Sequence, residues 1–171
     1  MAQARAQHSH WSGGGVLSSV SIKGASSFVL FFALVVGGGL AIGGLFEPGP
    51  WYAALNKPSY TPPNWAFPIA WSVLYILIAI AGWRTWRREK HGAAMMLWGL
   101  QLALNFAWTP LFFGAHAIAA ALGVLVLLLV AIGAFIAASW RSDRVAASLF
   151  IPYGAWVAFA GALNAALLVL N

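Results

Sequence analysis

Residues 51–75 read WYAALNKPSYTPPNWAFPIAWSVLY and lie between two long apolar runs. The stretch carries Trp51, Tyr52, Tyr60, Trp65, Phe67, Trp71 and Tyr75, four prolines, and a single charge, Lys57. Helix–helix connections in bundles are ordinarily short. Here Pro58, Pro62, Pro63 and Pro68 fix φ and remove backbone donors, which predicts a long, stiff, non-helical connection. Rigid aromatic surface at a membrane boundary suits a lid over a flat, apolar ligand. It also suits an interfacial aromatic belt that anchors helices at headgroup level. Composition leaves both readings open.

Outward from this stretch, the 171-residue chain is 62% hydrophobic and only 7% charged. A soluble domain carries about 25% charged residues, so lipid is the expected solvent. There is no cysteine, which removes disulfides and thiolate metal sites. The net charge of +6 does not point to nucleic acid, because the basic residues stand in short runs between apolar segments. That is the distribution of membrane-boundary charges. Residues 1–23 are polar and Gly/Ser-rich and read as a flexible tail, with a transmembrane domain over 24–171.

A helix needs about 20 apolar residues to cross the hydrocarbon core. Five segments qualify, at about 25–46, 65–83, 93–113, 117–140 and 145–170. The expected fold is therefore an all-α membrane protein, a five-transmembrane-helix bundle with a lid loop over 47–64. Strand-length alternating segments are absent from the sequence. Arg5, Lys23, Arg84, Arg87, Arg88, Lys90, Arg141 and Arg144 fall on one side of such a bundle, and only Lys57 on the other. The bias places the N-terminus in the cytoplasm and the lid loop and Asn171 on the opposite side. Very short third and fourth loops make the last three helices antiparallel neighbours. No inverted repeat of the transporter kind is visible.

The spans hold almost no ionisable groups; Glu47, Glu89 and Asp143 lie at or beyond helix ends. This argues against proton relays and carboxylate catalysis. The histidines have no second ligand at a metal-binding spacing, so neither a metal nor a required cofactor is expected. The third span carries Gln101, Asn105 and Thr109 at intervals of four, on one face with Trp108 nearby. An unsatisfied amide in hydrocarbon costs roughly 2–7 kcal/mol, so this face turns into the bundle, to bond a neighbouring helix or to anchor a ligand. Pro110 frees the Phe106 carbonyl and predicts a kink. Met95, Gly99 and Ala103 form a separate small-residue face suited to close helix approach, within the chain or in a dimer. Gly39 and Gly43 offer a second seam. In the fifth span, Trp156, Ala160, Leu163 and Asn164 form one stripe, which suits core packing or a flat ligand.

These residues together resemble the translocator protein family, also called tryptophan-rich sensory proteins or peripheral-type benzodiazepine receptors. The matching stretches are WYAALNKPSYTPPNWAF, AWSVLY, QLALNFAWTPLFFGA and LFIPYGAWVAFAGALN, and the match runs from about residue 28 to Asn164. The resemblance implies a five-helix bundle whose long first loop closes over a pocket. It implies a ligand of the porphyrin or haem type, with sterols and synthetic aromatic compounds as further ligands, and a homodimer. The implied ligand-binding residues are Phe67, Trp71, Tyr75, Asn105, Trp108, Trp156, Ala160 and Leu163. Tyr52, Lys57, Tyr60, Pro62 and Trp65 would form the lid, and Met95, Gly99 and Ala103 the dimer interface. Sensing, tetrapyrrole or sterol carriage, and light-dependent porphyrin breakdown are the activities it brings into view.

Two departures qualify that implication. Tyr60 stands where the family usually has Trp, which weakens the expectation of porphyrin breakdown and makes binding without catalysis the leading expectation. The fifth span ends LNAALLVLN, without the Tyr and basic residue of the proposed sterol motif. The positive-inside bias favours a cell membrane of the cytoplasmic type, although some family members occupy bacterial outer membranes.

Overall fold

The computed structural model describes residues 26–171. The tail over 1–23, with Arg5 and Lys23, lies outside the described residues. Helix α1 runs Ser26–Leu45, with a π-helical turn at Ala33–Gly37. A short helix α2, Pro50–Ala54, follows. Then come α3 (Ala66–Arg88), α4 (Ala93–Thr109), α5 (Ile118–Ser139) and α6 (Arg144–Leu170). No strand occurs among the described residues. Among the described residues, four helices, α1, α3, α5 and α6, are long and apolar enough to cross a membrane.

One local expectation needs correction: the connection before α3 contains helix α2. Pro50 explains it: at the first helical position the missing N–H has no partner to lose, and φ is already helical. The proline-rich part begins only afterwards, where the Thr61 N–H and hydroxyl both donate to the Pro58 carbonyl, at 3.0 and 2.8 Å. At Pro110, which follows the last residue of α4, the helical path widens into a π-helical turn over Pro110–Gly114. The Ala115 N–H then reaches the Pro110 carbonyl at 2.8 Å. His116 closes the turn with φ of 54°, in the left-handed region.

Helix α5 packs between α4 and α6, α6 also packs on α3, and α1 lies against α3 and α4. The last three helices, α4, α5 and α6, are thus consecutive neighbours, as their short connections require. In lipid no hydrophobic force draws helices together, so close packing and interhelical hydrogen bonds must do so. Such bonds recur at successive levels of the bundle. At the end where α3 stops and α6 starts, Arg84 donates to Asp143 through Nε and Nη2, at 3.1 and 3.0 Å. Asp143 also caps α6 by accepting from the Ala146 N–H at 3.1 Å. Nearby, Trp83 Nε1 donates to Ser27 Oγ of α1 at 3.2 Å.

One level further in, Trp98 Nε1 donates to the Ile78 carbonyl at 3.0 Å. Gly82 makes this approach possible, since a Cβ there would come within 2.2 Å of the Trp98 ring. Gly39 plays the same part for α1, where an added Cβ would lie 2.2 Å from the Tyr75 ring. Gly43 meets nothing within 4 Å, so the proposed Gly39–Gly43 seam is in use only at Gly39.

Candidate functional site

The central levels of the bundle enclose a cavity. Its wall is made by Phe67, Trp71 and Tyr75 of α3, Asn105, Trp108 and Thr109 of α4, Leu125 and Leu128 of α5, and Trp156 and Ala160 of α6. The regular helix geometry explains the choice: 67, 71 and 75 are spaced by four, as are 105 and 109, and 156 and 160, so each set shares a face. Trp71 lies tilted on Tyr75 at 5.3 Å between centroids, and Phe67 meets Trp156 edge-on at 5.9 Å. The centre of a water molecule can move through only about 20 Å³ of this space. That admits a single water. A larger planar molecule enters only if the aromatic rings swing apart.

The polar groups of the wall are largely engaged with one another. Tyr75 OH donates to Asn105 Oδ1 at 3.3 Å, and Asn105 Nδ2 donates to Tyr153 OH at 3.0 Å. This chain joins α3, α4 and α6 across the floor of the cavity. Toward the lid, Trp108 Nε1 donates to Asn164 Oδ1 at 3.3 Å, and Asn164 Nδ2 donates to the Ile118 carbonyl at 2.9 Å. Asn105, read from sequence as inward-facing, is therefore both buried and bonded on both sides of its amide. Gln101 and the Trp156 indole N–H are different: both are buried and have no hydrogen-bond partner among the described residues. Among the described residues, no charged side chain lines the cavity.

The connection between α1 and α3 covers this end of the bundle. Trp51 stacks on His116 at 4.1 Å, and Tyr52 meets Phe112 and Phe113 edge-on. Lys57 donates to the Ala53 and Leu55 carbonyls, at 3.2 and 3.3 Å, where α2 ends. Its ammonium lies 4.7 Å from the Tyr52 ring centroid, in cation–π range. Lys57 thus holds the loop together rather than reaching into the cavity. Burial raises the Tyr52 phenol above its ordinary pKa. Tyr60 lies against Phe159 of α6, and its hydroxyl reaches the Ala162 carbonyl at 3.5 Å. Pro62 is half-buried, whereas Trp65 is 67% exposed and turns away from the cavity.

Seven of the eight ligand-binding candidates stand in one wall; Leu163 is buried but outside it. Thr109, Leu125 and Leu128 line the cavity without having been among those candidates. Thr109 has a sequence signal, since it extends the Gln101–Asn105 ladder. Leu125 and Leu128 have none, because α5 is apolar on every face. Of the small-residue face, Gly99 and Ala103 are exposed, while Met95 packs partly on the core.

A helical membrane protein with an aromatic cavity, and an aromatic, proline-rich loop packed on one end of its bundle, is the class that fold and site define. The chain belongs to the TspO/MBR family, which it matches over residues 31–170. It is 42% identical to Protein CrtK of Rhodobacter capsulatus over 148 residues, covering 84% of this chain and 92% of that protein. It is 39% identical to the tryptophan-rich sensory protein of Cereibacter sphaeroides, covering 83% and 90% of the two chains. With the human translocator protein it shares 38% identity, covering 78% and 83%.

Proposed function

We propose that this protein binds a tetrapyrrole, a porphyrin or haem, in the cavity between α3, α4, α5 and α6, as a sensor or transport-associated protein. The observation that carries this reading is the convergence of Phe67, Trp71, Tyr75, Trp108 and Trp156 on one space. Flat aromatic faces suit a flat macrocycle, and the covering loop would exclude water once the rings part to admit it. The described residues of the wall carry no charge, so a ligand's polar groups would meet neutral partners, Asn105 at the floor of the cavity or Asn164 toward the loop.

The bundle in this reading has five spans. Helix α4 alone would be about 26 Å long, short of the roughly 30 Å hydrocarbon core. With its π-helical continuation it spans Ala93–Gly114, which reaches about 33 Å if each residue rises as in an α-helix. The basic residues of α3, Lys90, Arg141 and Arg144 then face the cytoplasm and the loop faces the opposite side of a cell membrane. A homodimer through the Gly99–Ala103 face completes the proposal.

Titrating protoporphyrin IX into detergent-solubilised protein and following tryptophan fluorescence tests the site. Saturable quenching in the wild type, weakened in Trp71→Ala, Trp108→Ala and Trp156→Ala, is the expected result. Unchanged affinity in all three variants sinks this pocket. Light-dependent breakdown is the rival activity. Illuminating the complex in oxygen and finding a bilin-like absorbance beyond free-porphyrin bleaching would establish it.

A further inference from the structure

Gln101 is 0% exposed in the middle of α4, and neither its amide oxygen nor its amide nitrogen has a partner among the described residues. An unpaired amide in a membrane interior is expensive, and a group kept there calls for a second state in which it is paired. The residue that could pair with it is set by the floor of the cavity. Gln101 stands one helical turn from Asn105 on the same face, about 6 Å along the axis. Asn105 Nδ2 donates to Tyr153 OH at 3.0 Å, and Tyr153 is itself 0% exposed. Asn105 Nδ2 carries two N–H groups, and a ligand oxygen that displaced Tyr153 from the one it accepts would strip the Tyr153 hydroxyl of its donor at a site closed to solvent. Tyr75 is less constrained, because it lines the cavity and its hydroxyl can follow the ligand.

We propose that Gln101 is the reserve hydrogen-bond partner of Tyr153, taking its hydroxyl when a ligand carbonyl or carboxylate oxygen claims Asn105. Gln101 is a positioning residue in this scheme: it does not touch the ligand. It lets the floor of the cavity exchange one bond for another without leaving a buried hydroxyl unpaired. The ligand arm rests on the tetrapyrrole reading above, but the exchange itself does not.

The exchange is tested without ligand by thermal unfolding of the full chain in detergent. Gln101→Met, close in volume and lacking the amide, raises Tm by removing an unpaired group. In an Asn105→Leu background, where Tyr153 has turned to Gln101, the same substitution lowers Tm. This reversal of sign is the expected result. A Gln101→Met variant with the same sign of effect in both backgrounds overturns the exchange, and so does a lowered Tm in the wild-type background. The ligand arm uses protoporphyrin IX. Gln101→Met weakens its binding roughly tenfold, the effect of one buried hydroxyl left unpaired. In a Tyr153→Phe background, with no hydroxyl to rehouse, Gln101→Met changes affinity less than about twofold. This arm also decides the matter if the Asn105 variant does not fold. Equal affinity in wild type and Gln101→Met overturns the exchange. Sign reversal in a protein that binds no porphyrin upholds the exchange and removes the tetrapyrrole reading alone.

Discussion

Asn56 and Asn171 hold each other through reciprocal bonds between side chain and backbone. The Asn56 N–H donates to Asn171 Oδ1 at 2.9 Å, and Asn171 Nδ2 donates back to the Asn56 carbonyl at 3.1 Å. Asn56 Nδ2 adds a longer contact to the Leu170 carbonyl at 3.4 Å. The connection between α1 and α3 is thereby tied to the far end of α6, the helix that supplies Trp156 and Ala160.

Asn171→Ala should loosen that connection without unfolding the bundle. Both residues are exposed, so the bonds compete with water and contribute at most about 1 kcal/mol each. The expected outcome is faster hydrogen exchange at the Asn56 amide, with Tm nearly unchanged. Exchange as slow as in the wild type would mean that the contacts of Trp51, Tyr52 and Tyr60 hold the loop down without Asn171.

Gly39 and Gly43 are the same residue type one helical turn apart, yet they should respond differently to substitution. A side chain at Gly39 collides with the Tyr75 ring, and displacing that ring costs the bond Tyr75 makes to Asn105. Gly39→Leu should destabilise by about 1–3 kcal/mol, the range for overpacking. Gly43→Leu meets open space and should leave Tm close to the wild-type value. Thermal unfolding of the two variants side by side checks the contrast, and equal effects would contradict the α1–α3 packing described here.

The inward face of α4 is legible in the sequence because amides cannot face lipid: Gln101 and Asn105 point inward on that ground alone. Their fates are not legible. Whether Asn105 meets two tyrosines and Gln101 meets none depends on how α3 and α6 are placed, which no local pattern encodes. The aromatic wall is legible in part, since Trp71, Trp108 and Trp156 stand at helical spacings from other candidates. Leu125 and Leu128 are invisible because α5 has no polar face to orient it. The helix at Pro50–Ala54 is lost to the eye because the prolines after it dominate the reading of the loop. Gly99 and Ala103 read as a packing seam, but no helix among the described residues covers them.

That uncovered face makes a prediction about assembly. Gly99 and Ala103 are exposed, with Met96 and Leu100 beside them, and a Cβ at Gly99 meets nothing within 4 Å. Gly99→Leu should therefore fold with an unchanged Tm while preventing close approach of a second copy at this face. Loss of the dimer band on cross-linking in membranes is the expected outcome. A variant that still cross-links as a dimer would place the interface elsewhere.

The link between Arg84 and Asp143 makes stability depend on pH. Burial alone would raise the Asp143 pKa. The hydrogen bonds from Arg84 and the Ala146 N–H, with the charges of Arg84 and Arg88, outweigh burial and hold it below the ordinary carboxylate value. A carboxyl whose pKa is lower folded than unfolded contributes stability above its unfolded pKa, about 3.9. That contribution is lost as pH falls through the lower, folded value. Arg84 is a third exposed, so solvent screens the pair, and we expect roughly 1 kcal/mol at neutral pH. Asp143→Asn keeps a side chain able to cap α6 but removes the charge. Its Tm should lie below that of the wild type at pH 7 and approach it as pH falls below about 4. Parallel Tm curves across that range would show that Asp143 acts through its cap alone.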